Sequence, residues 1–152
     1  MTNEFLNGNA VVGQSGGPTA AINATLAGVI RGFFAYGKGN TLYGMRNGME
    51  GFLEERLVNL NERFANKEDI DLLENTPAAA LGSCRKKLPA VEGNEDYYEK
   101  IFALFRKYNI RYFFYIGGND SMDTVAKLSA YSKVNDYEMR FVGVPKTIDN
   151  DL

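Results

Sequence analysis

The residues best suited to chemistry lie at the end of the chain. Lys146, Asp149 and Asp151 follow an apolar run at residues 141–144. The run predicts a buried strand, and open α/β sheets bind ligands just beyond the carboxyl ends of their strands. A carboxylate at that edge can act as a general base, and Lys146 can hold a phosphate group. The sequence contains no His, so a general base must be a carboxylate or, less often, Lys, Tyr or Cys.

A glycine pair early in the chain indicates a second part of the same edge. The apolar residues 9–13 predict a first strand, and residues 20–34 carry apolar side chains at helical spacing. Between them lie Gly16 and Gly17, where backbone N–H groups and a helix N-terminus can face an anion. A plain tight turn between strand and helix explains the same residues, so this loop alone leaves both interpretations open.

A second strand–glycine–helix unit follows later in the sequence. Residues 111–116 predict a buried strand, and a helix is expected from about residue 122 to residue 133. The turn between them contains Gly118 and Asp120. Asp120 or Ser121 could simply cap the helix, but Asp120 also stands where a ligand is expected to bind.

The middle of the chain supplies the connecting elements. A second strand is expected at residues 40–44, followed by a glycine-rich loop at 44–51 and by a mixed helical or extended piece from Phe52. A short polar helix is expected at 68–75. Residues 96–109 predict an amphipathic helix with one apolar side, formed by Tyr97, Ile101, Leu104 and Phe105.

A basic run follows a stretch of small residues. Residues 78–82 lead through Cys84 into three cations, Arg85, Lys86 and Lys87. A surface loop explains this run, and so does a second phosphate clamp. For the clamp, Arg85 is the sharpest candidate because its planar guanidinium matches phosphate oxygens. Cys84 is expected to pack as a small hydrophobic residue rather than to act as a nucleophile.

Composition narrows the class of protein. The chain has 152 residues, about one domain, and its 17 basic and 19 acidic side chains leave a net charge of −2. This balance argues against a nucleic-acid partner. The single Cys excludes an internal disulfide, and no apolar run is long enough to span a membrane. The N-terminus lacks the basic residues of a secretory signal, so we expect a cytoplasmic protein without a membrane partner.

The alternation of strands and helices predicts the fold class. It favours an α/β fold with a doubly wound, Rossmann-like parallel sheet and right-handed crossovers. The sequence contains no internal repeat and no interdomain linker. A dinucleotide-binding module is disfavoured, because neither glycine pair has the G-x-G-x-x-G spacing.

Four motifs together resemble the phosphofructokinases, in the family's order and over nearly the whole chain. They are Gln14-Ser-Gly-Gly-Pro-Thr-Ala-Ala-Ile-Asn23, Leu81-Gly-Ser-Cys-Arg85, Ile116-Gly-Gly-Asn-Asp-Ser-Met122 and Pro145-Lys-Thr-Ile-Asp-Asn-Asp151. The last motif is highly specific. Within the family, this sequence resembles the pyrophosphate-dependent branch. The resemblance implies that residues 1–152 are the N-terminal, donor-binding part of the phosphofructokinase fold, without the second, sugar-phosphate half.

The resemblance also implies an activity and its residues. The activity is reversible phosphoryl transfer from pyrophosphate to the 1-hydroxyl of fructose 6-phosphate, with Mg²⁺, in glycolysis, by a homo-oligomeric full-length protein. Asp149 matches the family's general base. The matching binding positions are Thr147, Ile148, Asp149 and Asp151 for the sugar phosphate, and Gly16, Arg85 and Gly118 for the diphosphate.

Two further catalytic positions, Asp120 and Lys146, match those that separate pyrophosphate users from ATP users. The ATP enzymes have glycine where this chain has Asp120, and a carboxylate there fills space and repels a third phosphate. Lys146 can offset negative charge on the smaller donor. The ATP-type pattern has an acid where this chain has Asn119, so the resemblance moves the metal role to Asp120, since a neutral amide is a poorer Mg²⁺ ligand.

Two alternatives remain open at this stage. The full-length protein could be an ATP-dependent phosphofructokinase, or a non-catalytic regulatory subunit that senses sugar phosphates. Family members are also more than twice as long as this chain. We therefore expect an N-terminal fragment that is inactive alone, with an unpaired sheet edge that favours aggregation.

Overall fold

A computed structural model describes residues 6–15, 20–37, 39–75, 81–82 and 87–145, with the backbone alone described at 20–22. Along these ranges lie β1 (Asn9–Gln14), α1 (Ala20–Tyr36), β2 (Leu42–Met45), α2 (Gly48–Leu53), β3 (Leu57–Asn59), α3 (Leu60–Arg63), α4 (Lys67–Glu74), α5 (Glu95–Lys107), β4 (Ile110–Gly117), α6 (Asn119–Asn135) and β5 (Arg140–Pro145). The predicted alternation of strands and helices is confirmed.

The strands form one sheet in the order β3-β2-β1-β4-β5. β1 pairs in parallel with β2 and with β4, and β4 pairs in parallel with β5. The predicted parallel sheet is therefore confirmed for four strands, whereas β3 runs antiparallel to β2. The connection between these two strands, residues 46–56, contains the short helix α2. It returns the chain beside β2 in the opposite direction, so β3 forms an antiparallel edge.

Helices cover both faces of the sheet, and the alternation of side chains along the strands builds two cores. Val11 of β1 belongs to a core rich in aromatic side chains with α2, α5 and α6, while its neighbours Ala10 and Val12 face α1, α3 and α4. The aromatic core contains close ring pairs, such as Phe102 with Phe105, whose centroids lie 5.0 Å apart. This arrangement is the doubly wound fold that the sequence predicts.

The interpretation of residues 44–51 as a loop is wrong. Residues Gly48–Leu53 form α2, although glycine disfavours a helix interior. Met49 and Phe52 are fully buried in the aromatic core, and the backbone N–H of Met49 donates to the hydroxyl of Tyr115 at 3.3 Å. Burial and this contact stabilise a turn of helix that local propensity does not predict.

Helix α5 occurs where expected, but its buried face is wider than predicted. Ile101, Leu104 and Phe105 are buried as expected, and Tyr98 and Phe102 are fully buried as well. Tyr97, placed on the buried side by the sequence, is only partly buried at the margin of the core. A helix lying flat on a sheet buries a broad arc of its surface, so the single stripe taken from the sequence was too narrow.

Residues 141–144 are part of a strand, β5, as predicted. The prediction that this strand is buried is wrong. β5 is the last strand of the described sheet, and Val142 is 40% exposed. Helix α6 packs on one face of β5, while Val142 and Val144 line an open apolar groove on the other face. In the described ranges no helix is both long enough and apolar enough to cross a membrane.

Replacing Gly117 with Ala should destabilise the protein by about 1–3 kcal/mol, the usual cost of overpacking. A Cβ at this position would overlap Oγ of Ser121 and lie 3.0 Å from the carbonyl oxygen of Ser15. Ser121 is only 2% exposed, so it has little room to move. Chemical denaturation gives the free energy of unfolding.

The matched control for that substitution is Gly28→Ala on α1. Nothing lies within 4 Å of a Cβ at Gly28. Alanine is a better helix former than glycine by up to about 1 kcal/mol, so this variant should be neutral or more stable. Equal stability of the two variants would contradict the close packing that the structure places at Gly117.

Candidate functional site

The carboxyl ends of β1, β4 and β5 meet at one edge of the sheet. Gln14 is in register with Ile116, and Gly117 is in register with Pro145. The ladder extends one step further, because the N–H of Ser15 donates to the carbonyl of Ile116 at 2.8 Å. We call Gln14, Ser15, Pro145 and residues 117–120 the carboxyl rim.

The described structure contains two of the predicted site residues, Gly118 and Asp120, and both belong to the carboxyl rim. Lys146 follows directly on Pro145 in the sequence. The other predicted site residues lie outside the described residues, and they are Gly16, Arg85, Lys146, Thr147, Ile148, Asp149 and Asp151. Their roles therefore stay predictions.

Helix α6 begins earlier than predicted, and this changes the role of Asp120. The helix starts at Asn119 rather than at residue 122, and Gly118 occupies the N-cap position without a side-chain cap. Asp120 is therefore a residue of the first turn, so the interpretation of Asp120 or Ser121 as a cap is wrong. Ser121 instead packs, buried, beside Gly117. The side chain of Asp120 is 62% exposed at the positive end of the helix dipole.

Gln14 ties the end of β1 to a distant segment, a role that sequence reasoning missed. Its Oε1 accepts from the N–H of Leu81 at 2.9 Å, and its Nε2 donates to Oδ1 of Asn23 on α1 at 3.4 Å. The N–H of Asn47 donates in turn to the carbonyl of Leu81 at 2.9 Å. Gln14 and Asn23 are almost fully buried. The sequence did contain a signal for this role, because a glutamine at the end of an apolar strand is a polar residue that needs hydrogen-bond partners when it is buried.

A second anchor holds the chain at residues 88 and 89. Nζ of Lys127 on α6 donates to the carbonyl of Leu88 at 2.9 Å, and the hydroxyl of Tyr98 on α5 donates to the carbonyl of Pro89 at 2.6 Å. Lys127 also pairs with Asp123 at 2.7 Å. The basic run therefore lies, in sequence, between one anchor at Leu81 and another at Leu88.

The second anchor places a cation beside the carboxyl rim. Nζ of Lys87 lies 3.5 Å from Oδ1 of Asp120, and both side chains are more than half exposed. This pair was not foreseen from the sequence, in which the two residues are far apart. An exposed ion pair stabilises a fold by only about 0–1 kcal/mol. The pair is therefore more relevant to ligand binding than to the stability of the fold.

The rim and the neighbouring Lys87 combine a helix N-terminus, an ammonium group and an accessible carboxylate. The first two favour an anion such as a phosphate group. The carboxylate can accept a proton or bind a metal ion. Within the described ranges, His, Cys, Asp and Glu side chains form no group of three or more that could hold a metal.

Comparison with known proteins agrees with this geometry. The family model described as Phosphofructokinase matches residues 9–152. The chain is 45% identical over 145 residues to the pyrophosphate–fructose 6-phosphate 1-phosphotransferase of Methylococcus capsulatus, and 44% identical over 146 residues to the protein of that name from Xanthomonas campestris pv. campestris. These matches cover 95% and 96% of this chain and 34% of each relative.

A solved structure shows the same fold. The crystal structure of the pyrophosphate-dependent phosphofructokinase from Nitrosospira multiformis superposes with a TM-score of 0.85 at 42% identity, over 97% of this chain and 35% of that one. The fold is that of a doubly wound α/β protein. The chain belongs to the phosphofructokinase family, and the resemblance found in its motifs is confirmed. It spans about a third of the length of the curated relatives it matches.

The stability of the protein should fall between about pH 10 and 12 because of Tyr98. Burial, chiefly, raises the pKa of this buried tyrosine to about 12, and the neighbouring Tyr97, Asp123 and Glu92 add to the effect. An unfolded tyrosine ionises near about pH 10, so over this interval the unfolded chain loses a proton that the native protein keeps. The free energy of unfolding therefore decreases as the pH rises.

Tyr98→Phe should reduce that pH dependence. At neutral pH it should also cost about 1–3 kcal/mol, because the carbonyl of Pro89 loses its donor. The measurement is chemical denaturation at pH values below and above 10, with Tyr36→Phe as the control, since Tyr36 is 69% exposed. An unchanged pH dependence in Tyr98→Phe would contradict this assignment.

Proposed function

We propose that the protein to which this chain belongs transfers a phosphoryl group from pyrophosphate to the 1-hydroxyl of fructose 6-phosphate. The observation that carries the proposal is the position of Asp120 on the carboxyl rim, at the N-terminus of α6 and beside the ends of β1 and β5. The names of the similar proteins support it. We place the reaction in glycolysis, in either direction, in the cytoplasm.

In this proposal the last residues of the chain act on the sugar. Asp149 accepts the proton of the 1-hydroxyl as the oxygen attacks the terminal phosphorus of pyrophosphate. The phosphoanhydride bond breaks, and orthophosphate leaves with its electron pair. Thr147, Ile148 and Asp151 position the sugar. The register of Gly117 with Pro145 supports this assignment, because the segment that carries these residues is joined to the rim at Pro145.

The donor is held from the opposite side of the reacting bond. Gly16 and Gly118 bring backbone N–H groups to the phosphates, and Arg85 supplies a planar guanidinium. Phosphoryl transfer depends mainly on positioning and on stabilisation of charge, so these contacts and Lys146 account for much of the rate. Asp120 leaves no room for a third phosphate and repels its charge, which favours pyrophosphate over ATP.

Mg²⁺ is the metal proposed for this reaction, with Asp120 as a ligand. In phosphoryl-transfer sites Mg²⁺ binds one or two carboxylates together with substrate phosphates and water. Asp120 meets that requirement, since its carboxylate is exposed and one of its oxygens faces Lys87, which leaves the other for a metal. Bound there, Mg²⁺ would neutralise charge on the donor phosphates.

Asp149→Ala in the longer protein should lower kcat by at least about 10²–10⁴-fold, the contribution of general base catalysis. The measurement is the initial rate of fructose 1,6-bisphosphate formation from pyrophosphate. Glu138→Ala is the control, because this exposed carboxylate lies at the opposite edge of the sheet, next to the start of β5. A variant with normal kcat would remove Asp149 from the reaction and favour a regulatory role for the protein.

Asp120→Gly should change the choice of donor. With the carboxylate removed, the ratio of kcat/KM for ATP to kcat/KM for pyrophosphate should rise by at least about tenfold, since removal of one repulsive charge changes discrimination by more than about 1.4 kcal/mol. Rates with each donor, at saturating fructose 6-phosphate, give the ratio. A wild-type protein that prefers ATP, or an unchanged ratio in the variant, would contradict the role assigned to Asp120.

A further inference from the structure

Asp120 creates an electrostatic problem for the proposed donor. A carboxylate that repels the third phosphate of ATP also lies close to the two phosphates of pyrophosphate, which itself carries several negative charges. Mg²⁺ held by Asp120 would offset part of this charge, and a cation of the protein beside the carboxylate can offset the rest without removing the ability of Asp120 to exclude the larger donor. The described structure provides such a cation in Lys87.

The geometry of Lys87 allows it to contact two anions at once. Its Nζ lies 3.5 Å from Oδ1 of Asp120, longer than the 2.7–2.9 Å typical of a charge-assisted hydrogen bond. Its side chain is 68% exposed, so most of its surface faces solvent. A lysine ammonium has three N–H donors, and a contact to Asp120 uses at most one of them. The other donors can bind phosphate oxygens.

The backbone that follows Lys87 is anchored by two hydrogen bonds. Leu88 is 3% exposed within the aromatic core, and its carbonyl accepts from Lys127 of α6. The following carbonyl, of Pro89, accepts from the buried Tyr98. Helix α6 thus carries Asp120 in its first turn and also Lys127, which anchors the residue after Lys87, so both charges are tied to one helix.

We propose that Lys87 is a donor-binding and specificity-determining residue, which bridges the carboxylate of Asp120 and a phosphate of pyrophosphate. This inference rests on the proposed function. Lys87 compensates the repulsion between Asp120 and pyrophosphate, while the bulk and charge of Asp120 still exclude a third phosphate. Lys127 and Tyr98 are positioning residues, because they act through the segment that carries Lys87.

The test compares Lys87→Met and Lys87→Arg in the longer protein. Lys87→Met should raise KM for pyrophosphate about tenfold, the scale of one charge-assisted hydrogen bond, and leave KM for fructose 6-phosphate within about twofold. Lys87→Arg keeps the charge and should recover most of the affinity. Lys133→Met, which removes an exposed ammonium from the other end of α6, should change neither KM.

The same substitution in an Asp120→Ala background provides a second readout. Without the carboxylate, the ammonium of Lys87 has no competing anion in the protein, so Lys87→Met should raise KM for pyrophosphate by at least as large a factor as in the wild-type background. A purely structural role of Lys87 would instead change KM for both substrates to a similar extent.

The outcomes separate this inference from the function on which it rests. A wild-type protein that uses pyrophosphate, with a Lys87→Met variant whose KM for pyrophosphate is unchanged, overturns the role of Lys87 and leaves the proposed function standing. The same holds for similar changes in KM for pyrophosphate and for fructose 6-phosphate. A wild-type protein that does not transfer phosphate from pyrophosphate overturns both.

Discussion

The parallel pairing of β1 with β4 is the constraint on which the candidate site depends. The two strands pair in register up to Gln14 and Ile116, and the N–H of Ser15 extends the ladder by one more bond. A shift of one residue would turn every side chain of β1 to the opposite face of the sheet. The two different cores on the two faces exclude that shift, so the strand ends, and the turns that follow them, are held at one edge.

Polar contacts then hold Leu81, Leu88 and Pro89 in place. Leu81 is held by the buried amide of Gln14, and Leu88 and Pro89 are held by Lys127 and Tyr98. A buried polar group that loses its partner costs about 1–3 kcal/mol, so each of these contacts strongly favours a single arrangement. The chain between Leu81 and Leu88 contains the basic run. The described residues on its two sides are thus held by contacts to the sheet and to two helices.

The sequence predicts those parts of the fold that local patterns determine. The apolar runs of β1 and β4 and the helical spacing of α1 predict a parallel α/β sheet, and the glycine pair before α6 places Asp120 at its edge. The predicted start of α6 was wrong because Gly118 occupies the N-cap position. Glycine has no side chain, so no capping side chain in the sequence marks this position. Helix α2 was missed because burial, rather than helix propensity, stabilises it.

The pairing of Lys87 with Asp120 depends on contacts between segments distant in sequence, and therefore no local pattern indicates it. The antiparallel direction of β3 was missed for a related reason, since the composition of a strand does not show in which direction it pairs with its neighbour. Sequence motifs thus supply the residues of the candidate site, whereas the anchors that position them emerge only from the folded chain.

The decisive measurement is a crystal structure of the longer protein with bound pyrophosphate. We expect both phosphates at the carboxyl rim, within hydrogen-bonding distance of the first turn of α6 and of Nζ of Lys87. Phosphates bound at the opposite edge of the sheet, near Asn9, Ile110 and Arg140, would contradict this expectation.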